Sequence, residues 1–320
     1  MRPMMLYLAL AALILSCRSS DVRREGYFAG SGGIRIFYRV VGGGSDTVVV
    51  IHGGPGGDMN NIAPDLEQLA ARRVVIYYDQ RGGGRSELPA DTSLLDAKYF
   101  VEDLEALRRH FGLERLNLLA HSFGPVLAAR YAQTYPKRVA RLIFLGAIGP
   151  RKADARAYGQ TMYARMDSAT RDSTIALVRA LLTGTGDALV ACRAYEDLQK
   201  QWAVTQGDST PNKGTICAAP PQAIRYAHVH TSQKTVESLG DWDYTEALGH
   251  VSAPLLVIYG DRDPSPISSQ RAWAAAVPEG RLLVVPGARK GVHVDRPDLF
   301  FPAVDTFLSG RWPDGAVRRP

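Results

Sequence analysis

The stretch LLAHSFGPVLAARYAQ, residues 118–133, decides the fold. Its first part closes an apolar run that reads as a strand buried on both faces, and its second part opens a helix at Phe123-Gly124-Pro125. Ser122 stands between them. A serine on so tight a strand-to-helix turn needs small residues two positions to either side, because the backbone there is crowded and strained. Ala120 and Gly124 are those residues. Such a turn lifts the Ser122 hydroxyl clear of the sheet, and the helix N-terminus brings the N–H of Phe123 and a positive dipole to where an oxyanion would form. Pro125 sits in the first helical turn, where a missing N–H costs no hydrogen bond.

Outward from this stretch the chain alternates strands and helices. On its N-terminal side lie TVVVIHG (47–53) and RRVVIYYDQ (72–80), and on its C-terminal side RLIFLGAIG (141–149), all continuous and apolar. A helix is expected over 94–111, where Tyr99, Leu104, Leu107 and Phe111 recur at helical spacing. Before these, YFAGSGGIRIFYRVVGGG (27–44) reads as a hairpin turning at Ser31-Gly32-Gly33. The pattern resumes with APLLVIYGDRD (253–263), a helix near 267–276, GRLLVVPGA (280–288) and a last helix near 297–308. These features predict an α/β class, with a mostly parallel central sheet and helices on both faces. Residues 150–249 have a different character, with helical stretches joined by polar loops and no buried-strand run. We expect a helical cap inserted into a core made of residues 25–149 and 250–312.

The 320 residues are enough for such a core, and an apolar content of 46% is that of an ordinary globular chain. The net charge of +6 is spread along the sequence, with no basic stripe interleaved with aromatics, so nucleic acid is not an expected partner. The first 17 residues, MRPMMLYLALAALILSC, carry one positive charge, a short apolar run and a small residue before Cys17. That is the layout of a secretory signal, and ILSC resembles a lipobox in which Cys17 is lipidated. An exported, periplasmic or membrane-anchored protein is expected, touching the membrane only through Cys17. In an oxidising compartment Cys192 and Cys217 either pair as a disulfide or remain two buried thiols.

Two further loops carry chemistry. VVVIHGGPGGD (48–58) ends a strand in glycines that let the backbone approach a reacting group, and Gly54 is the candidate for a second oxyanion donor. YYDQRGGGRS (77–86) reads as a glycine-rich turn with a structural pairing of Asp79 and Arg81.

HGGPGGD, DQRGGGRS and AHSFGP, in that order and spacing, resemble the proline iminopeptidase branch of the α/β-hydrolase superfamily. The resemblance covers about residues 26–149 and 250–310. It implies a Ser–Asp–His triad under a helical cap, no metal or cofactor, and a small-molecule or short-peptide substrate with a peptide, amide or ester bond. Ser122 matches the nucleophile. Asp263 in VIYGDRDPSP matches the acid, ahead of Asp261. In VVPGARKGVHVDRP (284–297), Asp295 and Pro297 fix the register, and Lys290 falls where the histidine base is expected.

Two side chains compete for the base. Lys290 must be neutral to accept a proton, and with a pKa near 10.4 only about one lysine in a few thousand is neutral at pH 7. An adjacent Asp263 would lock it as an inert salt bridge. His293, three residues on, is the alternative. Loss of the base would leave a catalytically degenerate binding protein, and an esterase on the same scaffold is a further reading. Glutamates in the cap of this branch hold the substrate's amino terminus. The matching positions here hold Gln199 and Tyr226, with Glu196 or Asp197 as substitutes. His228 and His230 lack a third ligand nearby and read as packing residues rather than a metal site.

Overall fold

The computed structural model describes residues 23–207 and 212–318. The segment ending at Cys17, on which the export and lipidation readings rest, lies outside the described residues.

The described strands are β1 (Arg24–Ala29), β2 (Arg35–Val41), β3 (Thr47–Ile51), β4 (Val74–Tyr78), β5 (Leu116–His121), β6 (Val139–Leu145), β7 (Leu255–Gly260), β8 (Gly280–Val285) and β9 (Val317–Arg318). They form one sheet in the order β1-β2-β4-β3-β5-β6-β7-β8-β9. The pairs from β4 through β8 are parallel, and the sheet is antiparallel only at β1/β2, β2/β4 and β8/β9. The central runs are apolar throughout because both faces are covered. Val49 and Ile51 of β3 face one core layer while Val48 and Val50 face the other. The same alternation divides Leu255, Val257 and Tyr259 of β7 from Leu256 and Ile258.

Helices α1 (Ala97–His110) and α2 (Gly124–Thr134) contribute Leu104, Leu107, Val126 and Tyr131 to the first layer. A 3-10 turn at Thr92–Leu95 precedes α1, so the expected helix over 94–111 breaks at Asp96, whose backbone is extended. Between β6 and β7 come α3 (Lys152–Arg165), α4 (Ser168–Thr183), α5 (Ala188–Thr205), α6 (Pro221–Tyr226) and α7 (Ser232–Ser238), the last two joined through a π-helical turn at Ala227–Thr231. After β7 come α8 (Ile267–Ala276), α9 (Val292–Asp295) and α10 (Pro297–Leu308). Trp273 of α8 packs in the first layer, and Phe300, Val304 and Phe307 of α10 in the second.

β3 pairs with β4 on one side and β5 on the other, so the chain's direction of travel across the sheet reverses there. In sheets of this kind the crevice beyond the carboxyl ends of such strands is where ligands bind. The loops after β3 and β5, which carry Gly53-Gly54 and Ser122, open side by side at that point. Cys192 and Cys217 form a disulfide linking α5 to the segment before α6. Among the described residues no helix is long and apolar enough to cross a membrane.

Candidate active site

Ser122 has φ +60°, and among the described residues it is the one non-glycine with positive φ. For an L-residue this left-handed conformation costs roughly 1–2 kcal/mol. Tertiary bonds hold it there. Its N–H donates to the carbonyl of Leu145 (3.1 Å), and its carbonyl accepts from the N–H of Ile148 (2.9 Å). Gly124 opens α2 in contact with β3, where a Cβ would lie 2.7 Å from the carbonyl oxygen of Ile51. The small residue required two positions after Ser122 is therefore a steric fact.

The loop after β3 presses on the same turn. A Cβ on Gly53 would lie 2.6 Å from Ser122 Cβ, whereas one on Gly54 (φ +66°) would meet nothing within 4 Å. Gly54 and Phe123 are the residues that immediately follow this contact on either chain segment. Among the described residues no hydrogen bond takes up the N–H of either one. Two unbonded N–H groups, each next in sequence to a residue of this contact, are donors of the kind an acyl oxyanion accepts.

His52 anchors the loop. Its Nε2 accepts from the backbone N–H of Gln80 (3.2 Å), so its Nδ1 carries the proton and donates to the carbonyl of Gly53 (2.9 Å). Burial lowers its pKa to about 4, which keeps it neutral. Asp79 accepts from the N–H groups of Met59 and Arg85, each at 2.8 Å, and burial pushes it up to about 6. The expected pairing of Asp79 with Arg81 does not form. Fully buried Arg81 makes a fork with Asp103 of α1, Nε to Oδ2 at 2.7 Å and Nη2 to Oδ1 at 2.6 Å. Asp79 is already held by two backbone donors, and Asp103 offers both carboxylate oxygens to the guanidinium.

Asp263 follows β7 and is 6% exposed. Its N–H donates to the carbonyl of Gly260 (3.0 Å), and its Oδ1 accepts from Ser265 N–H (2.8 Å). Its Oδ2 is buried without a hydrogen-bond partner. Lys290 packs against the loop after β6, where a Cβ on Gly146 would lie 3.0 Å from Lys290 Cγ. That loop is the one bonded to Ser122 through Leu145 and Ile148. Lys290 Nζ is likewise buried without an acceptor and lies 4.1 Å from the centre of the Tyr158 ring on α3. The expected Lys290–Asp263 salt bridge is thus absent, because the lysine turns toward the inserted helices and an aromatic face takes its charge.

His293 lies on α9 and is 5% exposed. Its ring centre is 5.9 Å from that of His121 and 5.8 Å from that of Phe300, and its Nδ1 is buried without a partner. Burial lowers its pKa to about 4, against a weaker upward pull from Asp65 and Asp295. Among the described residues no hydrogen bond or ion pair joins His293 to Asp263 or Ser122. His121 is held well below the usual histidine range by burial, and nearby His293, Lys290 and His52 reinforce this. Asp295, which set the register of this loop, accepts from the N–H and guanidinium of Arg289.

Three of the four side chains singled out for substrate contact are engaged by other groups of the protein, and the fourth, Asp197, is exposed on α5. Glu196 accepts from Thr215 Oγ1 (2.8 Å) and Ile216 N–H (3.2 Å), with Lys200 Nζ at 3.6 Å. Gln199 donates to Thr174 Oγ1 (3.2 Å), and Tyr226 donates its hydroxyl to the carbonyl of Pro89. His228 Nδ1 bonds to the carbonyl of Ile224, and the ring of His230 packs on that of Tyr226. Among the described residues no cluster of three or more His, Cys, Asp or Glu could hold a metal.

Two contacts have no sequence signal. Thr231, in the π-helical turn, donates to the carbonyl of Gly82 (2.8 Å), and its Cβ would lie 2.9 Å from a Cβ on Gly56. It ties the insertion to both glycine loops. Tyr158 is one of two tyrosines on a polar helix, and nothing in its spacing marks it as the partner of Lys290.

The sequence profile of the alpha/beta hydrolase fold family matches residues 46–297. A proline iminopeptidase of Heyndrickxia coagulans is 27% identical over 292 residues, spanning 89% of this chain and 98% of that protein. One from Lactiplantibacillus plantarum is 29% identical over 282 residues, 82% of this chain and 93% of that one. Among solved structures, a proline iminopeptidase of Mycobacterium smegmatis superposes with a TM-score of 0.65 at 24% identity, covering 90% of this chain and 98% of that chain. A thermophilic esterase from Thermogutta terrifontis superposes with a TM-score of 0.62 at 21% identity, again over 90% and 98%. At these identities the two structures speak for the fold alone.

Proposed function

The chain belongs to the alpha/beta hydrolase fold family, and on that premise we propose that it is a serine hydrolase of the proline iminopeptidase type, acting on small peptide, amide or ester substrates through Ser122. The observation that carries this reading is the left-handed backbone of Ser122, a strain that the loops after β3 and β6 hold in place. In the first step the Ser122 oxygen adds to the substrate carbonyl, and the resulting oxyanion takes the N–H groups of Gly54 and Phe123. Asp263 is the acid that supports the base. A base must be neutral to take the serine proton, and on that criterion His293 qualifies and Lys290 does not. Buried His293 is uncharged at pH 7, whereas Lys290 Nζ is turned to the Tyr158 ring on the insertion.

Glu196 is engaged by Thr215, Ile216 and Lys200, and Asp197 is exposed to solvent, so neither offers a desolvated carboxylate to a substrate's amino terminus. This supports ester or amide hydrolysis over strict selection of an N-terminal proline. A second reading, a degenerate binding protein on the hydrolase scaffold, is favoured by the unpartnered Asp263 Oδ2, which leaves the relay from acid to base unclosed. The Cys192–Cys217 disulfide supports export to an oxidising compartment.

Covalent labelling by a fluorophosphonate separates the readings without a guessed substrate. The hydrolase reading predicts labelling that Ser122→Ala abolishes and that His293→Ala reduces at least 100-fold with the fold intact. An unlabelled wild type that Lys290→His switches on would establish the degenerate reading instead.

A further inference from the structure

Six buried polar atoms in the segments around Ser122 lack a hydrogen-bond partner: His121 Nδ1, Asp263 Oδ2, Ser265 Oγ, Gln270 Oε1, Lys290 Nζ and His293 Nδ1. Buried groups of this kind are rare and call for a specific cause. One of them is a full positive charge whose immediate surroundings contain no anion paired with it. Lys290 Nζ is shielded from bulk water, its three protons meet no acceptor, and Tyr158 offers only a ring face. A cation–π contact is worth about 1–2 kcal/mol, well short of the several kcal/mol needed to strip an ammonium of its water. A carboxylate carried by a bound molecule would supply the balance.

The charges around the site bear on this. Asp263 lies on the neighbouring loop, yet Lys290 Nζ makes no hydrogen bond to it and reaches instead to Tyr158 on α3 of the insertion. His52 and His293 are neutral at pH 7, and so is His121. On the insertion side, Asp154 of α3 is taken by Arg151 (Nη2 to Oδ1 at 2.9 Å) and Glu196 by its own neighbours. Among the groups named here, Lys290 Nζ is the cation without a partner, and an ammonium so placed is suited to a substrate carboxylate.

We propose that Lys290 is a specificity residue that receives a carboxylate carried by the substrate, so that the site takes anionic acyl compounds, such as half-esters or half-amides of dicarboxylic acids. This rests on Ser122 marking the reaction centre, because Lys290 packs on the loop bonded to Ser122. It also explains a lysine in the base position, where a protonated side chain is useless for taking a proton but well suited to pairing an anion.

The test is titration calorimetry of the full chain with succinate, glutarate and adipate against their uncharged diamides, beside fluorophosphonate labelling of Ser122. At least one dicarboxylate is expected to bind saturably at one site and to slow labelling, while its diamide does neither. Lys290→Met should weaken that binding at least 10-fold, and Lys290→Arg should retain it. Equal binding of diacid and diamide, no binding of any diacid, or unchanged binding by Lys290→Met overturns the inference. If the wild type binds a diacid through Lys290 but never labels, the hydrolase reading falls and the carboxylate site stands.

Discussion

Gly53 and Ser122 touch without room for a methyl group: a Cβ on Gly53 would lie 2.6 Å from Ser122 Cβ and 3.2 Å from Ser122 Oγ. The oxyanion loop and the strained turn are thus fitted to each other by an absence of side chain. Gly53→Ala must push one of them away. We predict at least a 100-fold slower fluorophosphonate reaction, with a stability loss of about 1–3 kcal/mol from overpacking. Labelling kinetics beside circular dichroism check this. Wild-type rates in a folded Gly53→Ala would show that the contact is dispensable.

The fork between Arg81 and Asp103 ties the loop after β4 to α1 in full burial. Asp103→Ala leaves a buried guanidinium uncompensated and should cost about 3–5 kcal/mol. Urea unfolding measures it. A loss below about 1 kcal/mol would mean that solvent reaches Arg81 after all.

Acid should destabilise the protein in a defined window. His52 and His293 have folded pKa values near 4, below the unfolded value of about 6.5, because burial disfavours their charged forms. The unfolded chain therefore binds more protons between these values. The stability they contribute is present in full above pH 6.5, and it is lost as pH falls through 4, roughly 3 kcal/mol for each histidine. Urea midpoints from pH 7.5 to 4 should fall accordingly, and His293→Gln, which has no charge to gain, should fall less. Identical slopes would remove His293 from the account.

The disulfide between Cys192 and Cys217 closes a loop across 25 positions. On the chain-entropy model its removal costs about 3–4 kcal/mol. Because it lies inside the insertion, reduction should loosen α5 and the segment before α6 while the sheet persists. Hydrogen exchange with and without reductant reads this directly, and uniform loosening across the sheet would contradict it.

Much of this molecule was legible from its sequence because the signals are local. Doubly buried strands are apolar at every position, and the turn at Ser122 demands small residues at fixed offsets. What could not be read depends on contacts between distant segments. Arg81 chose Asp103, 22 residues away on a helix, over the nearby Asp79, because backbone donors had already claimed Asp79. Lys290 turned to Tyr158 on an inserted helix rather than to Asp263. Charge complementarity in the sequence says which groups can pair, and only the packing says which groups are within reach.

The most direct test of the account is peptide mapping by mass spectrometry of the wild-type protein after brief exposure to a fluorophosphonate at pH 7.5. One phosphonyl adduct per chain is expected, on the peptide containing Ser122, and none after Ser122→Ala. A folded wild type that carries no adduct, or carries it on another residue, would contradict Ser122 as the nucleophile.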